Sequence, residues 1–191
     1  MKTVAFNGSA RKNGNTTLMI KAAIIELEKA GIDTELVHLA GKPLRGCQAC
    51  YRCMKKKDRR CAVIDDGLND HLEKMVEADA ILLASPTYFA DVTSELKALM
   101  DRAGMVSRVN DDMLQRKVGA AIAVARRGGA IHTFDSINHF FFISQMVVPG
   151  SNYWNLGFGK DKGDVAKDEE AMAIMTRLGQ NMAWLLGKLH A

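Results

Sequence analysis

Thr3-Val4-Ala5-Phe6-Asn7-Gly8-Ser9-Ala10-Arg11-Lys12-Asn13-Gly14-Asn15-Thr16-Thr17 follows Met1-Lys2 and holds an apolar run, a polar turn and the start of a helical period. Thr3 to Phe6 run without polar alternation, as a strand does when both of its faces are covered. A turn rich in Gly, Asn and Ser follows, and beyond it Leu18, Ala22 and Ile25 recur at helical spacing until Gly31. Strand, polar turn and helix in that order are the first half of a parallel α/β unit.

The same grammar repeats along the chain. Unalternated apolar runs lie at Ala80 to Ala84, Val118 to Ala125 and Met146 to Val148, with a weaker one at Thr34 to Leu39. Helical periods lie between and after them: Leu68, Leu72 and Met75; Leu96, Leu99 and Met100; and a last stretch from Ala171 through Met175, Leu178, Met182 and Leu185 to Leu189. Asp65-Asp66 and Asp168-Glu169-Glu170 stand where helices begin and where carboxylates suit the positive helix end. Five alternations predict a parallel sheet with helices on both faces. Pro149 to Gly163, with Tyr153, Trp154 and Phe158, is too long for a plain connector and suits a cover over a ligand or a partner subunit.

Composition bounds the class. The chain has 191 residues, 48% hydrophobic and 25% charged, with 3 prolines, which excludes disorder and fibre and fits a single domain over residues 1–191. No apolar run approaches the roughly 18 residues of a membrane span, and Met1-Lys2-Thr3 leads straight into a strand rather than a signal peptide. A cytoplasmic protein without membrane contact is expected. Of 26 Lys and Arg residues, seven crowd residues 45–60 against Asp58 alone, so the basic balance is local and no nucleic-acid-binding surface is expected.

The first turn is the position at which open α/β sheets bind anions. Backbone N–H groups at a helix start, the hydroxyls of Ser9, Thr16 and Thr17, and Arg11 suit a phosphate monoester. Neither the three-glycine dinucleotide fingerprint nor a Gly-Lys-Ser/Thr is present, which favours a mononucleotide. The competing reading is a turn that only caps its helix. A second turn, Ser85-Pro86-Thr87-Tyr88-Phe89-Ala90-Asp91, brings two aromatics to the same sheet edge, to line a flat ring or merely to cover the strand ends.

Cys47, Cys50, Cys53 and Cys61 are the only cysteines, and all lie in or beside the basic stretch. Three cysteines at intervals of three and a fourth nearby can wrap a 4Fe-4S cubane. A structural zinc site and free thiols on a basic loop remain open, although zinc more often uses two separated pairs. Cations beside thiolates would favour their ionised form, raise a cluster's potential and dock an acidic carrier. The five histidines show no ligand spacing, and no triad or carboxylate pair supports hydrolysis.

Gly8-Ser9-x-Arg11-x-x-Gly14-Asn15-Thr16, Ser85-Pro86-Thr87-Tyr88-Phe89 and Leu96-Lys97-x-x-x-Asp101-Arg102 together resemble the NADPH-dependent FMN reductase branch of the flavodoxin-like superfamily. Cys47-x2-Cys50-x2-Cys53-x7-Cys61 resembles the insert of one subgroup, the iron-sulfur flavoproteins. The resemblance implies a flavodoxin-like three-layer α/β sandwich around a five-stranded parallel sheet, with a cluster-binding insert at about 45–63. It implies FMN with its phosphate on Ser9, Arg11, Asn15, Thr16 and Thr17 and its ring against Pro86, Thr87, Tyr88 and Phe89. A third contact would come from Ala125, Arg126, Gly128 and Gly129, and the four cysteines would ligate a 4Fe-4S cluster. The expected activity is electron transfer between cluster and FMN in a homodimer or homotetramer. A ferredoxin-type carrier would be the donor, and oxygen, peroxide or a quinone the acceptor. No catalytic side chain is assigned. The rivals are an NAD(P)H-dependent flavin, quinone or nitroaromatic reductase with zinc or nothing at the cysteines, and a flavin carrier or sensor without turnover.

Overall fold

The computed structural model describes residues 1–41 and 43–190. Its elements are β1 (Lys2–Asn7), α1 (Asn15–Lys29), β2 (Asp33–His38), α2 (Arg52–Lys56), α3 (Leu68–Glu77), β3 (Ala80–Pro86), α4 (Ser94–Val109), β4 (Val118–Ala125), α5 (Ala130–Ile143), β5 (Leu156–Phe158) and α6 (Glu169–Leu189), with a 3-10 turn at Asp164–Lys167. The strands form one parallel sheet in the order β2-β1-β3-β4-β5, the flavodoxin-like order.

The unalternated strands are explained by two cores. In β1 and β3, Val4, Phe6, Ile81 and Leu83 face α3, α4 and α5, while Ala5, Ala80, Leu82 and Ala84 face α1 and α6. Each face of the sheet has its own layer of helices, so the middle positions of β1 and β3 are apolar on both faces. No helix among the described residues is long and apolar enough to cross a membrane.

Three details differ from the sequence expectation. Met146 to Val148 is not a strand: Val147 makes one isolated parallel bridge to Val118, and the chain then reaches Pro149, which has no N–H to continue a ladder. The fifth strand comes from the irregular segment after it, where Leu156 and Phe158 pair with Ala123 and Ala125. Helix α5 carries no clear period, since Phe140 and Phe141 are buried while Phe142 and Ile143 are exposed. In α1 the buried face is Met19, Ile20, Ala23, Ile24 and Leu27, and Ile25 lies outside.

Helices α1 and α6 approach closely at Gly179. A Cβ there would lie inside contact distance of the Ala23 carbonyl oxygen and 2.8 Å from Glu26 Cβ. Gly179→Ala therefore has to push the two helices apart. It is expected to cost about 1 to 3 kcal/mol, despite alanine's better helix propensity. Urea denaturation measures this, and an unchanged midpoint would mean that the helices separate freely.

Candidate functional site

The turn after β1 is organised by the buried side chain of Asn7, which the residue pattern alone does not single out. Asn7 Oδ1 accepts from the Ser9 N–H at 2.8 Å, and Asn7 Nδ2 donates to Thr17 Oγ1 at 2.8 Å, so one amide ties the start of the loop to the first turn of α1. The Thr17 hydroxyl donates to Lys12 O at 2.6 Å, and the Arg11 N–H donates to Ser9 Oγ at 3.2 Å. The helix begins after Gly14 without a side-chain cap. That result weighs against the purely capping reading of the Ser/Thr cluster, because a cap would have occupied the donors an anion uses. The His38 imidazole, 3.3 Å from Asn7 Nδ2, is held below its ordinary value by burial first and then by the charges of Lys12 and Lys21. Burial thus favours the neutral imidazole beside Asn7.

The expected phosphate residues do not all behave alike. Ser9 is buried in the loop and Thr16 and Thr17 in the first turn of α1, while Arg11 is exposed, its guanidinium donating to Lys160 O at 3.5 Å. The Asn15 side chain is committed elsewhere. It donates to Asp161 O at 2.9 Å and accepts from the Gly163 N–H at 2.8 Å, clamping the segment after β5 against the loop. The Asn15 amide is thus engaged by the backbone of Asp161 and Gly163.

The second loop follows β3 and adjoins the first. The Gly8 N–H donates to Ala84 O at 2.8 Å, and a Cβ on Gly8 would lie 2.7 Å from Thr93 Oγ1, so any larger residue there would have to displace the Thr93 side chain. Tyr88 and Asp91 exchange backbone hydrogen bonds at 2.9 and 3.2 Å around Phe89 and Ala90, whose φ values are 46° and 66°. Two successive left-handed residues are those of a type I′ turn, which asparagine and glycine normally supply. A phenylalanine there is strained, and Phe89 is fully exposed beside a half-exposed Tyr88. The third loop meets the second. The Thr87 N–H donates to Val124 O at 2.7 Å, Thr133 Oγ1 lies 3.1 Å from Thr87 Oγ1, and Gly129, at φ 87°, packs against Thr87 and Ala90. Arg126, Gly128 and Gly129 thus stand beside Pro86 to Phe89, at the carboxyl ends of the adjacent strands β1, β3 and β4. An anion-accepting helix start beside exposed aromatics on a strained turn fits a phosphorylated flat-ring ligand such as FMN.

All four cysteines line one cavity of about 220 Å³, together with Tyr51, Arg102, Met105 and Val106. Cys47 and Cys50 are exposed, Cys53 is buried in α2, and Cys61 is half-buried. Burial pushes the Cys53 thiol up. Among the described residues no group of three or more His, Cys, Asp or Glu side chains is arranged to hold a single metal ion. The thiols border a space instead of meeting at a point, and an all-sulfur set around a cavity fits an iron-sulfur cluster. Ala49, Tyr51, Lys57 and Arg59 all have positive φ, which coils the chain tightly around that space.

The segment is fastened to the fold at three places. Cys61 exchanges hydrogen bonds with the Asn69 side chain at 2.8 and 3.0 Å, and the Arg59 N–H donates to Asn110 Oδ1 at 3.0 Å. The third fastening is Arg102, whose side chain and that of Asp66 are each 1% exposed and form a bidentate ion pair. Burial pushes the Asp66 carboxyl up, but hydrogen bonds from Arg102 and from the Arg45 and Leu68 N–H groups, with the Arg102 charge, together outweigh it and hold the carboxyl below the ordinary range. Asp66 also accepts from the Leu68 N–H at 3.3 Å, which meets the expectation of a carboxylate at the start of α3.

Comparison with known proteins gives a consistent set. The model of the NADPH-dependent FMN reductase family matches residues 1–161. An iron-sulfur flavoprotein of Methanocaldococcus jannaschii is 40% identical over 190 residues, covering 96% of each chain. One from Methanosarcina thermophila is 37% identical over 154 residues, covering 80% of this chain and 78% of its own. Among solved structures, RosB with a bound 8-demethyl-8-formylriboflavin-5'-phosphate intermediate superimposes with a TM-score of 0.79 at 22% identity, over 100% of this chain and 80% of that one. That structural likeness speaks to the fold alone.

Proposed function

The chain belongs to the NADPH-dependent FMN reductase family, among its iron-sulfur flavoproteins, and from that premise we propose that it passes electrons between a 4Fe-4S cluster and FMN. It is a flavin oxidoreductase. The observation that carries the finer reading is the single cavity bordered by Cys47, Cys50, Cys53 and Cys61 on the flank of α4. Thr93, the cap of that helix, abuts the first loop at Gly8, and the rise from Thr93 to Arg102 is about 13 Å. When bound, the cluster handles single electrons and FMN accepts two.

The chain's own contribution is binding and shielding. Arg11, Ser9, Thr16 and Thr17 would hold the FMN phosphate; Pro86, Thr87, Tyr88 and Phe89, with Ala125, Arg126, Gly128 and Gly129, would border the ring. The cations at Arg45, Arg52, Lys55, Lys56, Lys57, Arg59 and Arg60 offer a docking face to an acidic carrier of the ferredoxin type. Oxygen, peroxide or a quinone fits as the acceptor. Four reduced thiols suit the cytoplasm, and exposed Tyr153 and Trp154 suit the contact of a homodimer or homotetramer.

The test is turnover of the protein purified without oxygen. Reduction by ferredoxin with consumption of an acceptor supports the proposal, and steady turnover of NAD(P)H with no response to ferredoxin overturns it. For the flavin site, Arg11→Ala is expected to weaken FMN binding by about 1.5 to 3 kcal/mol, the loss of a hydrogen bond to a charged group. Its long contact to Lys160 O is easily exchanged for a phosphate. Fluorescence titration with FMN measures the change, and native affinity would remove Arg11 from the site.

A further inference from the structure

Among the described residues, Arg102 is the side chain that reaches both ends of the cysteine segment and one of its thiols. Nη1 donates to Arg45 O at 2.9 Å, before Cys47, and Nη2 donates to Val63 O at 3.0 Å, after Cys61. Nη2 also lies 3.4 Å from Cys61 Sγ and 3.2 Å from Asp66 Oδ1, and Nη1 bonds Asp66 Oδ2. Arg102 lines the cavity, and its buried Nε–H has no hydrogen-bond partner among the described residues. A buried guanidinium with one uncommitted donor is costly unless further negative charge arrives nearby.

We propose that Arg102 is a positioning residue for the cysteine-held cluster: it fixes Cys61 as a ligand and, with Asp66, sets the charge that the cluster meets. The proposal rests on the iron-sulfur reading above. Lysine cannot replace this side chain, because a point ammonium cannot serve two carbonyls, a carboxylate and a sulfur at once. Hydrogen bonds to cluster sulfur and nearby positive charge both favour the reduced, more negative state. The buried carboxylate of Asp66 works in the other direction, so the two residues oppose each other in potential while cooperating in structure.

That opposition gives the test. Arg102→Lys and Asp66→Asn are each purified as loaded protein, the potential is measured by spectroscopic redox titration, and metal release to a chelator is followed. In Arg102→Lys the one-electron reduction constant is expected to fall about tenfold, or ~59 mV. Its metal release is expected to quicken by about tenfold, the low end for loss of an outer-shell partner. In Asp66→Asn the potential is expected to rise. A purely structural staple would move both variants the same way, or move only their stability, and either result overturns the proposal. If the purified protein holds zinc without sulfide, the iron-sulfur reading fails separately. Release alone then decides: faster loss of zinc from Arg102→Lys keeps Arg102 as the positioning residue, and an unchanged rate overturns it.

Discussion

Cys50→Ser is expected to lose most of about four iron and four sulfide per chain while keeping FMN at its native level. Cys50 is exposed, borders the cavity and lies between two positive-φ residues, Ala49 and Tyr51, in a segment outside the sheet. The loops proposed to hold FMN draw their geometry from elsewhere. The first is tied by Asn7 to α1, the second by Ser85 Oγ to the Thr93 N–H at 3.0 Å, and the third by Gly129 to Thr87. None of these contacts runs through residues 47–53, so removing one thiol should empty one site and spare the other. Iron, sulfide and heat-released flavin are measured on the same preparation. Loss of both cofactors together would make the cysteine segment a staple of the whole fold, and one zinc without sulfide in the parent protein would refute the cluster itself.

What could be read in the sequence was whatever depended on local pattern. Val4, Phe6, Ile81 and Leu83 share their strands with equally apolar neighbours because two layers of helices cover the sheet, and that is visible as unalternated runs. The cysteines announce their shared cavity because all four fall within fifteen residues of one another in the chain. Long-range choices left no such trace. Leu156 to Phe158 is only three residues long and gains its pairing from β4, so propensity had nothing to register. Asn15 reads as a phosphate residue by position, yet its amide satisfies the backbone of Asp161 and Gly163, almost 150 residues away. Arg102 stood inside a recognised motif, but its partner Asp66 read only as a helix-start carboxylate. A buried asparagine at the end of β1 was the one unread local signal, since a polar side chain closing an apolar strand has to find partners.

Asp66→Ala should be the most destabilising single change in the cysteine region, at about 3 to 5 kcal/mol by urea denaturation. The reason is what it leaves behind: Arg102, with its side chain 1% exposed, would keep its charge without the carboxylate that balances it. The change also releases the Arg45 N–H at 3.0 Å and the Leu68 N–H, so the start of the segment and the start of α3 lose a common anchor. The pH dependence follows from the direction of the shift. The folded-state carboxyl is held below the ordinary aspartate value of 3.8, so the folded protein binds fewer protons there than the unfolded chain. Its contribution is complete above that value and is lost only as pH falls through the lowered one. The difference between parent and variant should therefore stay flat from pH 8 to pH 5. A difference that already shrinks near pH 6 would mean that the carboxyl is not held low, and that burial, rather than Arg102, governs Asp66. A cost under about 1 kcal/mol, the scale of an exposed pair, would mean that solvent reaches the guanidinium and that the cavity is not closed on this side.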